Sequence, residues 1–441
     1  MKKEKAMHKL LTRALMLSLL VTFSGVGASA RQVLSTTAPQ KVGLSSARLD
    51  RLDGAVETLV SNKQIPGAVT LIARHGKIAH FKALGMMDIQ TGQAMRPDAI
   101  FRIYSMTKPI VSVAIMMLFE EGRIGLDDPV AKYIPEFENM RVYKKGATVK
   151  TMVTEDLARP VTIHDLLTHT SGLTYNFIGT TPVHKLYTAK GILPGGNELS
   201  PLLKDVRPIQ SLQEMVEALE TIPLLHQPGT RFSYGVSLDV LGYVVEKISG
   251  QTLDVFLKTR LFDPLGMKDT GFWVPQEKLD RLAALYIRQE DGSIKRLSSA
   301  KESRFTRRPS LLSGGGGLVS TAMDYVRFSQ MLLNGGALDG IQILSPKTVE
   351  LMTQNNLPDG VSMFGRPGYG FGLGFSVITD IVKTHNIGST GTYSWSGAAS
   401  TAFWIDPKED MIIVAMTQVI GPQNSGLYDF MQRQAYQAVV N

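Results

Sequence analysis

The 441-residue chain contains no cysteine. That absence excludes disulfides, thiol catalysis, thiolate-held metals and a lipid anchor attached through cysteine, so stability has to come from the apolar core. Gly-x-Ser-x-Gly does not occur, which removes the sharp-turn nucleophile of the common α/β-hydrolases. His164 and His169 stand five apart without a His-Glu-x-x-His pattern, and helix-end or turn hydrogen bonding explains them, so no metal is expected. The four glycines at 314–317 are not followed by Lys-Ser or Lys-Thr, so they do not make a phosphate loop. No run of basic residues is interleaved with aromatics, which leaves nucleic-acid binding without support.

After the first 30 residues no segment is apolar enough to cross a bilayer. Lys2, Lys3, Lys5, Lys9 and Arg13 precede an apolar stretch at 15–26, and Ala28-Ser29-Ala30 follows. A basic start, a short apolar core and small residues at a cleavage position read as a secretory signal peptide, 1–30. The core is too short to span a bilayer comfortably, so no stable membrane anchor is expected. The expectation is an exported chain, periplasmic or secreted, cleaved near Ala30. The whole chain has 47 basic and 39 acidic residues, a net charge of +8. Five of those basic residues and one acidic residue lie in the segment, so a cleaved chain carries 42 against 38. That balance argues for no charged partner.

What is present is an ordinary globular composition, 44% hydrophobic and 20% charged, enough for one large domain or two lobes. Residues 67–76 and 77–84 read as a hairpin turning at His75-Gly76. The run 109–121 is long enough for a buried helix, with Gly122 just past its end. Asp127-Asp128-Pro129 reads as a capped helix start, and 162–168 as a short helix capped by Thr162. From 175 to 208 the pattern breaks into Gly and Pro and reads as a long ordered loop. Helices are expected at 211–219, 237–248 and 321–333, strands at 372–378, 398–405 and 411–419, and a closing helix at 427–440. Strands at both ends and helices between them predict an α/β domain formed by 31–100 and 286–441, with a mainly helical domain, 101–285, inserted.

The chemistry-bearing candidates begin with Tyr104-Ser105-Met106-Thr107-Lys108. Ser105 stands where an extended stretch meets the buried helix. Positions three apart share a helix face, so Lys108 would point at its hydroxyl. A serine needs such a base to become a nucleophile, and a helix N-terminus favours a developing oxyanion. The motif alone is weak, because a surface serine with a snorkelling lysine would read the same. Ser298 and Lys301 repeat it in a polar stretch with no apolar helix behind. Tyr234, in Pro228-Gly229-Thr230-Arg231-Phe232-Ser233-Tyr234-Gly235-Val236-Ser237, ends a turn before a helix, either as a proton relay or as a half-buried packing ring. Tyr393-Ser394-Trp395-Ser396-Gly397-Ala398 leads into a strand that either lends a backbone N–H to an oxyanion or is a surface strand with an aromatic anchor.

In this order the three elements resemble the serine β-lactamase and penicillin-binding-protein superfamily, in which Ser-x-x-Lys is a signature. The likeness runs from about Gly43 to the C-terminus. It includes Ile163-His164-Asp165-Leu166-Leu167-Thr168-His169-Thr170-Ser171-Gly172-Leu173 and Phe262-Asp263-Pro264-Leu265-Gly266-Met267. Class C β-lactamases and family VIII carboxylesterases look nearest. The resemblance implies an α/β (α+β) fold, with an antiparallel sheet flanked by helices and an inserted helical domain. It also implies catalytic roles for Ser105, Lys108 and Tyr234, and oxyanion or substrate-binding roles for Trp395, Ser396, Gly397 and Ala398. Two departures bear on substrate. Tyr-x-Asn becomes Tyr234-Gly235-Val236, and Lys-Thr-Gly becomes Trp395-Ser396-Gly397. An amide and a cation that would greet an anionic β-lactam are replaced by apolar groups. The expectation is therefore a cofactor-free serine hydrolase, a carboxylesterase acting through an acyl-enzyme on short-chain, small-molecule esters. The alternatives are a β-lactamase, D-amino peptidase or transacylase on the same scaffold, or a catalytically silent relative. The sequence assigns no oligomeric state.

Overall fold

The computed structural model describes residues 34–193, 203, 205–421 and 427–441. The 1–30 segment and residues 194–202 and 204 of the expected long loop lie outside them.

The fold is a mixed α/β one, an antiparallel sheet flanked by helices. Its sheet strands are β1 (Ser35–Thr36), β2 (Gly67–Arg74), β3 (Lys77–Asp88), β4 (Tyr369–Phe371), β5 (Ser376–Ile378), β6 (Tyr393–Gly397), β7 (Thr401–Asp406) and β8 (Met411–Met416). They lie in the order β1-β3-β2-β8-β7-β6-β5-β4, and Gln93–Ala94 pairs with β3 off this path. Pairing along the order is antiparallel except between β1 and β3. The first and last parts of the chain meet where β2 pairs with β8, from Arg74↔Met411 to Val69↔Met416.

The central strands are buried on both faces, so they read as continuous apolar runs, and their two-residue period divides them between two cores. Val69, Leu71, Phe403, Ile405, Ile412 and Val414 join one cluster. Ala68, Ile72, Ala402, Trp404, Met411 and Ile413 join the other. The second core is closed by helix α1 (Ser46–Ser61) and by the C-terminal helix Leu427–Gln437, through Leu49, Leu52, Val56, Met431 and Ala435. The first core includes α2 (Thr107–Glu120), α3 (Ser237–Ser249) and α4 (Ala322–Leu333). Every residue of α2 from Thr107 to Leu118 is buried. That all-round burial is why its sequence is apolar without an amphipathic stripe.

The β2–β3 turn has positive φ at both residues, 54° at His75 and 68° at Gly76, which matches the twist of a two-residue hairpin. Thr162 caps Ile163–Leu167 with a reciprocal Asp165 bond, and Gly122 ends α2 at φ 68°.

Several expected boundaries move. The stretch 372–378 is not one strand: β4 and β5 form a hairpin around Gly374, whose φ is +96°. A β-carbon at Gly374 would lie 2.1 Å from Ser112 Oγ on α2, so the turn needs glycine. The strand expected at 398–405 begins at Thr401, because 398–400 is the turn joining β6 and β7. The last expected strand ends at Met416, and Val419–Ile420 instead pairs in parallel with Leu285–Arg288. Asp128 caps no helix; its Oδ2 accepts from Gly125 N and the Tyr133 hydroxyl ahead of a single 3-10 turn, Val130–Lys132. The expected loop at 175–208 contains a helix, Pro182–Ala189, with Pro182 in its first turn.

Candidate active site

Ser105 sits in a 3-10 turn, Tyr104–Met106, that runs straight into α2. The turn is closed by Met106 N donating to Ile103 O at 3.0 Å. Tyr104 has φ 41°, an uncommon conformation for a bulky residue. Lys108 lies one turn on, only 1% exposed. Its Nζ donates to Ser105 Oγ at 3.2 Å, to the Tyr175 hydroxyl at 3.0 Å and to Gly315 O at 2.7 Å. Three partners therefore surround Nζ, as a buried polar group requires.

The Gly315 peptide links two buried ionisable side chains. Its carbonyl faces Lys108, and its N–H donates to Asp239 Oδ1 at 3.0 Å, which also accepts from Ser313 Oγ at 2.5 Å. Burial pushes the Asp239 carboxyl above its ordinary range, and the Ser313 hydrogen bond and nearby Lys108 pull it back. A β-carbon at Gly315 would come within 2.3 Å of Asp239 Oδ2. The glycine turn is thus a close-packed backbone cradle behind the lysine.

Tyr234 is half-buried at the entry to α3. The Lys108 Nζ lies 4.5 Å from its ring centroid and 5.3 Å from that of Tyr175, both within cation–π range. Two backbone approaches bring these elements together. Ser233 N donates to His169 O at 2.7 Å, and a β-carbon at Gly235 would lie 2.6 Å from Thr174 N. Burial and the nearby Asp239 and Tyr234 raise the Tyr175 hydroxyl well above the ordinary phenol range, so it stays protonated. The His169 ring packs 4.7 Å from that of Tyr234, fully buried, with neither nitrogen hydrogen-bonded. Burial, then Lys108, lowers its pKa well below the ordinary value and keeps the imidazole neutral.

The strand β6 closes the remaining side. Trp395 is half-buried, its ring 5.5 Å from Tyr234 and 5.2 Å from Phe371. Gly397 packs so tightly against the nucleophile turn that a β-carbon would lie 2.3 Å from Ile103 O. Ser396 is half-buried beside it, and Ala398 is exposed in the following turn. Among the described residues no acceptor is found for the Ser105 or Ala398 amide.

Residues 52–438 match the Beta-lactamase family model. The chain belongs to the Beta-lactamase family. Protein Rv1367c of Mycobacterium tuberculosis is 36% identical over 379 residues, 84% of this chain and 90% of its own. Esterase EstB of Burkholderia gladioli is 31% identical over 417 residues, covering 91% and 98%. Among solved structures, EstCE1, described as a hydrolase with promiscuous acyltransferase activity, superposes with a TM-score of 0.74. It is 27% identical, covering 88% of this chain and 98% of its own.

The structure brings Ser105, Lys108, Tyr234 and Trp395 together, with Lys108 on Ser105 Oγ and over the Tyr234 ring, and Trp395 packed on Tyr234. Ser298, the serine of the second Ser-x-x-Lys, ends a strand and accepts from Arg102 Nη2. Tyr175, Asp239 and His169 are the neighbours that sequence reasoning left out of the site. Among the described residues no cluster of His, Asp and Glu has a metal-binding arrangement. A separate open groove of about 550 Å³ beside Asp269, Arg281, Asp324 and Arg327 includes none of the catalytic candidates. Its charges are largely paired among themselves or with neighbours, Arg281 with Asp269 and Arg327 with Asp339.

Proposed function

We propose that this protein is a serine hydrolase that cleaves neutral carboxylic esters through an acyl-enzyme on Ser105. The observation carrying the reading is the buried Lys108, held by Tyr175 and Gly315 with its third position on Ser105 Oγ at 3.2 Å. Gly315 O can only accept, so it fixes one N–H. As a neutral amine, Lys108 turns its lone pair toward the serine and takes the hydroxyl proton as Oγ bonds to the ester carbonyl carbon. The N–H groups of Ser105 and Ala398 receive the tetrahedral oxygen. Tyr234 delivers a proton to the alcohol oxygen as the C–O bond breaks. Water adds to the acyl carbon and loses its proton to the Tyr234 phenolate, and Lys108 returns its proton to Ser105 Oγ as the acid leaves, which restores all three groups. Each atom and proton is accounted for without a cofactor.

The neutral-ester preference rests on Trp395 and Val236. An indole and a buried isopropyl group stand where the β-lactamase pattern has a cation and an amide. Loss of a charge-assisted contact costs roughly 1.5–3 kcal/mol, or one to two decades in rate. A short neutral ester loses nothing by the replacement. EstB, an esterase by name, and EstCE1, with its acyltransferase activity, support a carboxylesterase or acyltransferase over a β-lactamase. The amino-terminal basic and apolar segment supports export. No helix among the described residues is long and apolar enough to cross a membrane.

The test compares kcat/KM for p-nitrophenyl butyrate and nitrocefin on one preparation, with Ser105→Ala as blank. The ester should be favoured by at least about 10²-fold. Nitrocefin turnover equal to or above the ester would replace this reading with a β-lactamase one.

A further inference from the structure

Among the described residues, Phe177 and Phe364 are the phenylalanines left exposed, at 67% and 56%. Apolar rings scattered singly on a surface need no explanation, but these two are not scattered. Phe177 stacks on Tyr175, centroids 5.3 Å apart and planes 13° from parallel. Phe364 packs on Phe232 at 4.8 Å and on Tyr234 at 6.1 Å. Tyr175 and Tyr234 are themselves 5.5 Å apart, with Lys108 against both. Two loops nearly 190 positions apart in the chain thus each carry an exposed ring to one of two touching tyrosines. Ile178, also exposed at 46%, extends the apolar surface beside Phe177.

Phe364 adds a second, independent observation. Its φ is 51°, in the left-handed region that a bulky residue rarely adopts. The loop is pinned on both sides, by buried Met363 and by Arg366 N donating to Met363 O. The fold therefore holds a large apolar ring in an unfavourable backbone conformation and leaves it facing water. Folding gains little from that, and a ligand that covers the ring would gain more.

We infer that Phe177 and Phe364 form an apolar clamp for the alcohol part of the ester, and that the substrates are esters of bulky, apolar alcohols. This rests on the ester-hydrolase reading above. The alcohol side is assigned because Tyr234 protonates the leaving oxygen. The departing group therefore lies against Tyr234, where Phe364 packs, and beside Tyr175, where Phe177 stacks.

The experiment measures kcat/KM of wild type and the Phe177→Ala/Phe364→Ala double variant on three esters: 2-naphthyl acetate, ethyl acetate and methyl octanoate. The double variant should lose about tenfold on 2-naphthyl acetate, mostly through KM. That loss should exceed its losses on the other two by at least about fivefold. Phe364→Asn, which suits the left-handed backbone and removes the ring, should give part of the same selective loss if the double variant folds poorly. Equal losses on all three esters would mean that the rings only support the tyrosines, and would overturn the clamp. A loss confined to methyl octanoate would place the apolar group on the acyl side and overturn the assignment to the alcohol. Wild-type activity on none of the three, no greater than that of Ser105→Ala, would remove the ester-hydrolase reading itself.

Discussion

Replacing Gly397 by alanine tests whether β6 forms part of the reacting machinery. In the folded chain a β-carbon at this position would lie 2.3 Å from Ile103 O and 2.3 Å from Thr401 Oγ1. Such contacts do not fall below 3.0 Å, so from 2.3 Å something must move by at least about 0.7 Å. The obstacle is backbone, and it is the same carbonyl that closes the Ser105 turn by accepting from Met106 N. Strand and turn must therefore separate, taking the Ala398 amide away from the oxygen it would stabilise. A misplacement near 1 Å costs about 10²-fold in rate, and loss of one oxyanion donor costs about 10²–10³-fold. Gly397→Ala should lower kcat on p-nitrophenyl butyrate by on the order of 10²-fold with a smaller effect on KM. Circular dichroism and the thermal midpoint establish that the variant is folded. Gly54→Ala, on α1 with nothing within 4 Å of the added carbon, is the matched control and should leave kcat unchanged. A folded Gly397→Ala enzyme within about threefold of wild-type kcat would refute an oxyanion role for the 397–398 backbone.

Tyr234→Phe keeps the ring packed against His169 and Trp395 and removes only the hydroxyl. Turnover should fall by at least about 10²-fold at an unchanged thermal midpoint, and near-wild-type turnover would return Tyr234 to a packing role. Asp324, at the start of α4, gives a pH-dependent stability. Burial raises its carboxyl to about 6 from 3.8, against the hydrogen bond from Asp269 N that pulls it down. Between pH 4 and 6 the folded chain keeps a proton that the unfolded chain has released, so this contribution to stability is lost as pH rises through that window. Wild type relative to Asp324→Asn should therefore lose up to about 3 kcal/mol of unfolding free energy between pH 4 and pH 7. The variant comparison is needed because His80, lowered to about 4 by burial, titrates in the opposite sense over the same range. A pH-independent difference between the two proteins would contradict the assignment.

The parts of the molecule legible in the sequence were those with local causes. Ser105 and Lys108 come together because the 3-10 turn Tyr104–Met106 runs straight into the apolar helix α2, and Thr162, Gly122 and His75-Gly76 mark element ends through their own backbone preferences. What was not legible depends on contacts made across the chain. The hydrogen bond from Lys108 to Tyr175 spans 67 positions, and the one from Lys108 to Gly315 spans 207. Asp239 reads locally as an ordinary acid in the first turn of a helix; only the fold sets it against the glycine turn. The reading of 372–378 as one strand failed at Gly374, where the required close approach comes from Ser112 on another element. Gly397 was named only through the resemblance; nothing local in the sequence shows that it lets two backbones touch.

The most direct measurement of the central claim is mass spectrometry of the protein after reaction with a fluorophosphonate, followed by peptide mapping. One adduct on the Tyr104–Met106 turn, at Ser105, is expected, with no labelling of Ser105→Ala and full labelling of Ser298→Ala. An adduct on Ser298 or another serine, or no adduct on a protein that still hydrolyses esters, would contradict Ser105 as the nucleophile.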